Sequence, residues 1–300
     1  MAMNLLNPIQ ILRGTTASIA AAQGKEGTLY YDKSRGVLVT KNTAAFDTHV
    51  RVFDNTSVSQ SIYVDAVNGS DGNSGFSDTE PVKTIDKAFW LCLVRTGVQK
   101  PTIRLAAGTY STDIVDFPDC TIVGSGIDAT IIAVPYVKKQ SGILHVSDCE
   151  IRSNGVDPDN CSITVYGVNF WTSNARLNIL SNCAKGIYIG DASYCYMYNS
   201  IIKANNRTIS GSLIDVNFCS NLHTNTLKLD GNITVKGNVV VSGGNCYIVM
   251  DNGTKITATG TVTGSRYLAY CGGVINSNGS GPNAIPGTKA GSVASGGAYY

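Results

Sequence analysis

The chain has 300 residues, enough for one large domain or two to three small ones. Charged residues make up only 15% and the formal net charge is +2. That leaves no basic field to hold nucleic acid and none of the charge excess of a disordered chain. Glycine is abundant at 32 residues, and Asn, Ser and Thr are frequent. This argues against a helical protein and for short strands joined by tight turns.

Residues 1–10 lack the charged start and apolar core of a secretory signal, and no run is long enough for a membrane span. The chain is therefore expected to be made in the cytoplasm. The nine cysteines show no CxxC spacing, which argues against a zinc ribbon. In a reducing compartment they read as small buried hydrophobes without disulfides. Asn160 and Asn232 stand in Asn-x-Ser/Thr triplets and read as turn residues.

In chain order, the first 60 residues form a small unit. A short helix is predicted over Ala17–Ala22. A hairpin follows, with strands Thr28–Tyr31 and Val37–Thr40 around the turn Asp32–Gly36. A piece this small gains little from its own core and is expected to pack on copies of itself or on a larger partner. Ile62–Asp65 then reads as a strand. Asn68–Gly75 is turn chemistry that lacks the bidentate Glu of a calcium loop. Thr79 is the expected N-cap of a helix from Pro81 to Val94, with Val82, Ile85, Phe89 and Cys92 on one face. Such a helix suits a cover over a sheet edge.

From Pro101 onward, short strands such as TIRLAAG, CTIVGSG, SITVYG and VVVSG follow one another without helices between them. Cysteines recur at steps of about two dozen residues, the length of one solenoid coil. Cys120, Cys149, Cys195, Cys219, Cys246 and Cys271 are expected to stack as an inner ladder, with Cys161 and Cys183 in a second column. In LKLDGNITVKGNVVVSGG, Leu227, Ile233 and Val239 step by six, which predicts narrower coils or intertwined chains. The tail from Gly279 to Tyr300 cannot build a core alone and is expected to dock on a neighbour.

Side chains alternate along a strand. With Cys195 and Met197 inward, Tyr194, Tyr196 and Tyr198 face out. Tyr166 and Tyr188 face out by the same phase, and Trp171 falls in a loop between strands. This aromatic strip suits either sugar stacking or a contact between subunits. No catalytic residue is assigned. Glu150, Asp191 and Asp215 are the outward carboxylates from which a glycosidase pair would have to come, and a solvated surface explains them as well. His145 has no spaced partner and reads as a surface or structural residue. GSGIDA at Gly124–Ala129 has no helix after it and reads as a turn.

The segments YVDAVNGSDGNSGFSDTEPVKTIDKA, AAGTY and TIVGSGIDATII resemble the opening coils of pectin-lyase-like right-handed parallel β-helices. RGTTASIAAAQGKEGTLYYDKSRGVLVT is similar to the attachment module of bacteriophage tail fibres and tailspikes, and IPGTKAGSVASGGAYY looks like an end such chains share. The resemblance implies an all-β chain in three parts. Residues 1–60 would be a virion-attachment and trimerisation module, 61–275 a parallel β-helix, and 276–300 a Gly/Ser-rich end. It implies a homotrimeric external fibre or tailspike, assembled in the host cytoplasm and joined to other virion proteins through residues 1–60. Its partner would be a bacterial surface polysaccharide acting as receptor. The alternatives are a polysaccharide depolymerase, hydrolase or lyase, and a structural decoration of head or tail. The chain is shorter than tailspikes that digest polysaccharide, so turnover is not expected. No cofactor, metal, nucleic acid or membrane insertion is implied.

Overall fold

Apolar residues at every second position are the rule along the strands. In Val168–Ser173, Val168, Phe170 and Thr172 are buried while Asn169, Trp171 and Ser173 are exposed. The computed structural model describes residues 61–93 and 100–300. Before them it describes the backbone of four strands, Leu12–Gly14, Leu29–Asp32, Val37–Lys41 and Phe46–Arg51. From residue 61 the chain is a parallel β-solenoid of about seven turns.

Each full coil crosses three sheets. Sheet 1 has ten strands, running from Ser61–Val64 to Ala298–Tyr299. Sheet 2 has seven, from Gly108–Ser111 to Thr257–Ala258, and sheet 3 has seven, from Val137–Lys139 to Ser292–Val293. One representative coil runs Gly142–Ser147 in sheet 1, Glu150–Ser153 in sheet 2 and Cys161–Tyr166 in sheet 3. The next coil begins at Val168, in register with Gly142.

Turn chemistry sets the corners. Between sheets 1 and 2, Asp148, Asn174, Asn199 and Thr226 stand at equivalent places with φ of 52°, 49°, 44° and 57°. Asn and Asp tolerate this left-handed region because their side chains bond locally. Here they also bond along the axis. Asn174 Nδ2 donates to Asp148 Oδ1 at 2.5 Å and Asn199 Nδ2 to Asn174 Oδ1 at 3.4 Å. Between sheets 3 and 1 a single residue, Gly167 at φ 61°, links Tyr166 to Val168. Inside that corner, Val168 N–H donates to Ser193 Oγ, Ser193 N–H to Ser220 Oγ, and Ser220 N–H to Cys246 Sγ, each at 3.2 Å.

That chain of donors corrects the expected cysteine ladder. Cys246 occupies a place held by serine in the coils before it. Cys120 and Cys195 do share one inward column of sheet 1, but Leu144 and Phe170 lie between them. Cys149 sits at the corner before Glu150, while Cys219 and Cys271 are exposed corner residues with φ of 58° and 50°. Cys161 pairs with Lys185 and Cys183 with Ile209, so these two form no column either. The spacing reported the coil length. It did not report a column, because a residue one coil on can land on strand or corner. The six-residue step is also resolved. Ile233 and Val239 lie in one ten-residue strand, Ile233–Ser242, whose register with the next coil shifts between Thr234 and Asn238. The coils do not narrow there.

The solenoid interior is filled by Ile, Leu, Val and Phe side chains that reach zero exposure, Phe170 and Phe117 among the largest. Its first coil is covered by helix α1, Ile85–Leu93. Ile85, Ala88, Phe89 and Cys92 face inward, and the Phe89 ring lies 4.9 Å from that of Phe117. The helix starts later than expected. Thr84, not Thr79, supplies the cap, its Oγ1 accepting from Lys87 N–H at 3.2 Å. Residues 81–84 are held out of the helix, because Val82 bridges Val64 and Asp71 accepts from the N–H groups of Lys83 and Thr84. The expected helical residue Val94 lies outside the described residues.

Residues after 275 continue the winding. Ala284 and Ile285 have zero exposure, and the Tyr299 ring stacks on Tyr267 at 4.2 Å. The glycine-rich end thus docks on the preceding coils of its own chain. Of the N-terminal expectations, the hairpin stands as the antiparallel pair Leu29–Asp32 and Val37–Lys41. Leu12–Gly14 and Phe46–Arg51 complete a four-stranded sheet. The expected helix over Ala17–Ala22 lies outside the described residues.

Candidate functional site

Sheet 1 places aromatic rings on consecutive coils. Parallel pairing puts His145 opposite Trp171, Trp171 opposite Tyr196, and Tyr196 opposite His223. All four positions face outward, since the flanking Leu144, Phe170, Cys195 and Leu222 have zero exposure. Strands in a sheet lie about 4.8 Å apart, which is close to ring-stacking distance, so the rings meet. His145 and Trp171 are stacked, with centroids 4.7 Å apart and 11° between planes. Trp171 and Tyr196 meet edge to face at 5.1 Å, and Tyr196 and His223 lie 4.7 Å apart. Tyr194, one column over, joins at 5.1 Å from Tyr196, and its hydroxyl donates to the Tyr196 hydroxyl at 3.0 Å.

A histidine stands at each end of the ladder. Partial burial, with the nearby Lys100 charge, moves the His145 pKa below its ordinary value and keeps the imidazole neutral. His223 Nδ1 lies 3.2 Å from Asp251 Oδ1, which orients that ring. The hydrogen bond to Tyr196, together with burial, pushes Tyr194 up to about 12. The Tyr194 phenol therefore stays a protonated donor. Trp171 is 44% exposed and Tyr198, beside the ladder on the same face, 56%. The result is a row of rings in mutual contact that is partly open to solvent.

The six strip residues expected from strand phase fall on two faces. Trp171, Tyr194, Tyr196 and Tyr198 belong to sheet 1, and Trp171 is on a strand, not in a loop. Tyr166 and Tyr188 belong to sheet 3 and meet each other edge to face at 5.5 Å. Tyr188 points outward as expected yet is only 6% exposed. Lys185 Nζ sits 4.0 Å from its ring centroid, and Tyr166 covers its edge. Burial raises the pKa of both phenols, Tyr166 to about 12.

The three carboxylates are not brought together. Glu150 is on sheet 2, Asp215 on sheet 3, and Asp191 in the corner between sheets 3 and 1. Glu150 is buried at 3% exposure. It accepts from Arg152 Nε at 2.7 Å, Arg176 Nη1 at 3.0 Å and Asn178 Nδ2 at 2.9 Å. Burial alone would raise its pKa. The hydrogen bonds from Asn178, Arg176 and Arg152 outweigh that and hold it below the usual value. A carboxylate so held is a poor general acid, which needs a raised pKa. Asp215 is bound by Lys185 Nζ at 3.2 Å, by Ser212 Oγ at 2.9 Å and by Asn217 Nδ2.

His145, His223 and Asp251 are the residues that sequence reasoning did not place in the site. A usable signal was present. His145, Trp171, Tyr196 and His223 recur every 25 to 27 residues, the same step that the cysteines suggested.

No family model and no curated protein matches the chain. Among solved structures, Geobacillus virus E2 ORF18 matches with a TM-score of 0.32 and 12% identity. The match covers 97% of this chain and 72% of that one.

Proposed function

We propose that this chain is the subunit of a trimeric virion fibre or spike whose sheet 1 face binds a bacterial surface glycan without cleaving it. The observation that carries the binding role is the ring ladder His145–Trp171–Tyr196–His223, open to solvent at Trp171. Sugar rings carry apolar C–H faces and polar rims, and aromatic side chains with a polar handle fit both. The carboxylates bear on turnover. Glu150 and Asp215 are held by cations and amides on separate sheets, and cleavage of a glycosidic bond uses two carboxyl groups across the scissile bond. The virion setting and the three-fold assembly rest on the resemblance of the N-terminal segment to fibre attachment modules.

The protein contains two tryptophans, Trp90 and Trp171. In a Trp90→Phe background, emission reports Trp171 alone. Titration with polysaccharide from susceptible cells is expected to shift that emission. Tyr196→Ala should weaken binding by about 10- to 30-fold, the usual scale for a stacked hot-spot ring. Reducing ends or unsaturated products released by the wild-type chain would overturn the non-enzymatic part. A Trp171→Ala chain that adsorbs normally but loses its trimer would make the ladder a subunit contact instead.

A further inference from the structure

Charge is distributed unevenly over the three faces. The six sheet 1 strands that carry and follow the ladder are Gly142–Ser147, Val168–Ser173, Tyr194–Tyr198, Asn221–Asn225, Tyr247–Met250 and Val274–Asn276. None contains a Lys, Arg, Asp or Glu at any position, in a chain with 15% charged residues. Two acids directly follow these strands and both are engaged, Asp251 by His223 at 3.2 Å and Asp148 by Asn174 Nδ2 at 2.5 Å. The sheet's own cation, Arg104, stands on an earlier strand and donates to Ser61. Sheet 2, by contrast, carries Glu150, Arg152, Arg176, Lys203, Lys228 and Asp230 on its strands.

The polar groups on the charge-free face are amides and hydroxyls. Asn169 and Ser173 flank Trp171 on its own strand, and Asn221 and Asn225 flank His223. Tyr247 is 39% exposed, and its hydroxyl accepts from Asn276 Nδ2 at 3.3 Å. We infer that the glycan taken by this face is uncharged. The inference rests on the glycan-binding reading above and narrows its ligand class. A uronate, sialate or phosphate laid on the ladder would shed water and find no cation on the ladder strands in return, with Lys100 reaching only its His145 end, a cost that grows with burial. Hydroxyl and acetamido groups of a neutral glycan meet partners of their own kind, and its ring faces meet the stack.

The test is an array of bacterial capsular and O-antigen polysaccharides probed with the full chain. Half carry no ionisable group and half bear uronic acid, sialic acid or phosphate. Binding is expected within the neutral half, changing less than about threefold between low and high salt because no ion pairs are screened. Trp171→Ala and Tyr196→Ala should each weaken it by about 10-fold or more without loss of the folded β signal in circular dichroism. Binding confined to the anionic half, and weakened by salt, overturns the uncharged ligand while leaving a glycan receptor in place. Absence of binding to either half, with a folded chain, overturns the glycan reading itself.

Discussion

Cys149 and Cys183 are buried, and burial pushes both thiols up to about 12. Cys195, enclosed on the inward side of sheet 1, moves in the same direction for the same reason. A thiol that cannot form thiolate does not react with alkylating agents. Cys219 and Cys271 stand exposed in the corner between sheets 3 and 1. Native alkylation followed by intact mass should therefore add two labels quickly and the other seven only on unfolding. A third fast label would contradict the placement. Glu150 provides a second residue-level test. Its folded pKa lies below the ordinary 4.5, so its contribution is full above that value and is lost as pH falls through the lower folded one. Glu150→Gln leaves Arg176 with Asp128, at 2.9 Å, as its remaining acid. The loss at pH 7 should reach up to about 3 kcal/mol, the lower end for breaking a buried pair. Urea denaturation should show the gap between variant and wild type closing in acid. Glycan binding should be unchanged, because Glu150 lies on sheet 2.

Within one strand of sheet 1, adjacent aromatic residues do opposite work. Phe170 points inward with zero exposure and Trp171 outward. Phe170→Ala should cost about 3–5 kcal/mol of stability through the cavity it leaves. Trp171→Ala should cost under about 1 kcal/mol of stability, as surface changes do, and remove most glycan binding. Equal stability losses would put the strand phase in error. This phase was legible in the sequence wherever small and large apolar residues alternate cleanly, as in Tyr194–Tyr198. It was harder to read on sheet 3, where outward positions are covered. Thr164 and Tyr188, both outward, are as buried as core residues. Nothing local in SITVYG or GIYIG signals that Asp157 will accept from Thr164 Oγ1 at 2.7 Å across a loop. The start of α1 was misplaced for a related reason. Thr79 and Pro81 form a plausible first turn, but Asp71 captures Lys83 and Thr84 from twelve and thirteen residues away. The ring ladder was half legible. Its tyrosines came from phase on one strand, whereas its histidines needed the register between coils.

A solenoid leaves an open end at each terminus, and this chain covers them differently. Helix α1 packs Phe89 against Phe117 at one end. At the other, residues 279–300 form a last coil with two-residue strands, Ser292–Val293 and Ala298–Tyr299. Such short strands make a poor template for edge-to-edge pairing. Truncation after residue 278 removes Ile285 and Tyr299 from the interior and from the Tyr267 ring. The truncated chain is expected to aggregate, which the soluble fraction after expression would reveal. Removing the other end should do no such harm. The described strands before residue 61 pair only among themselves, Leu12–Gly14 with Leu29–Asp32 and Val37–Lys41 with both its neighbours. The first solenoid strand, Ser61–Val64, takes its partners from Thr102–Leu105 and Val82. Among the described residues, deleting residues 1–60 therefore removes no strand that pairs with the solenoid. If those residues attach the subunit to the particle and the solenoids hold each other, the shortened chain should remain a trimer by light scattering, keep the Trp171 emission response to glycan, and fail to join virions. A monomer that still binds glycan would assign trimerisation to residues 1–60. A shortened chain that still assembles into particles would move the attachment surface onto the solenoid.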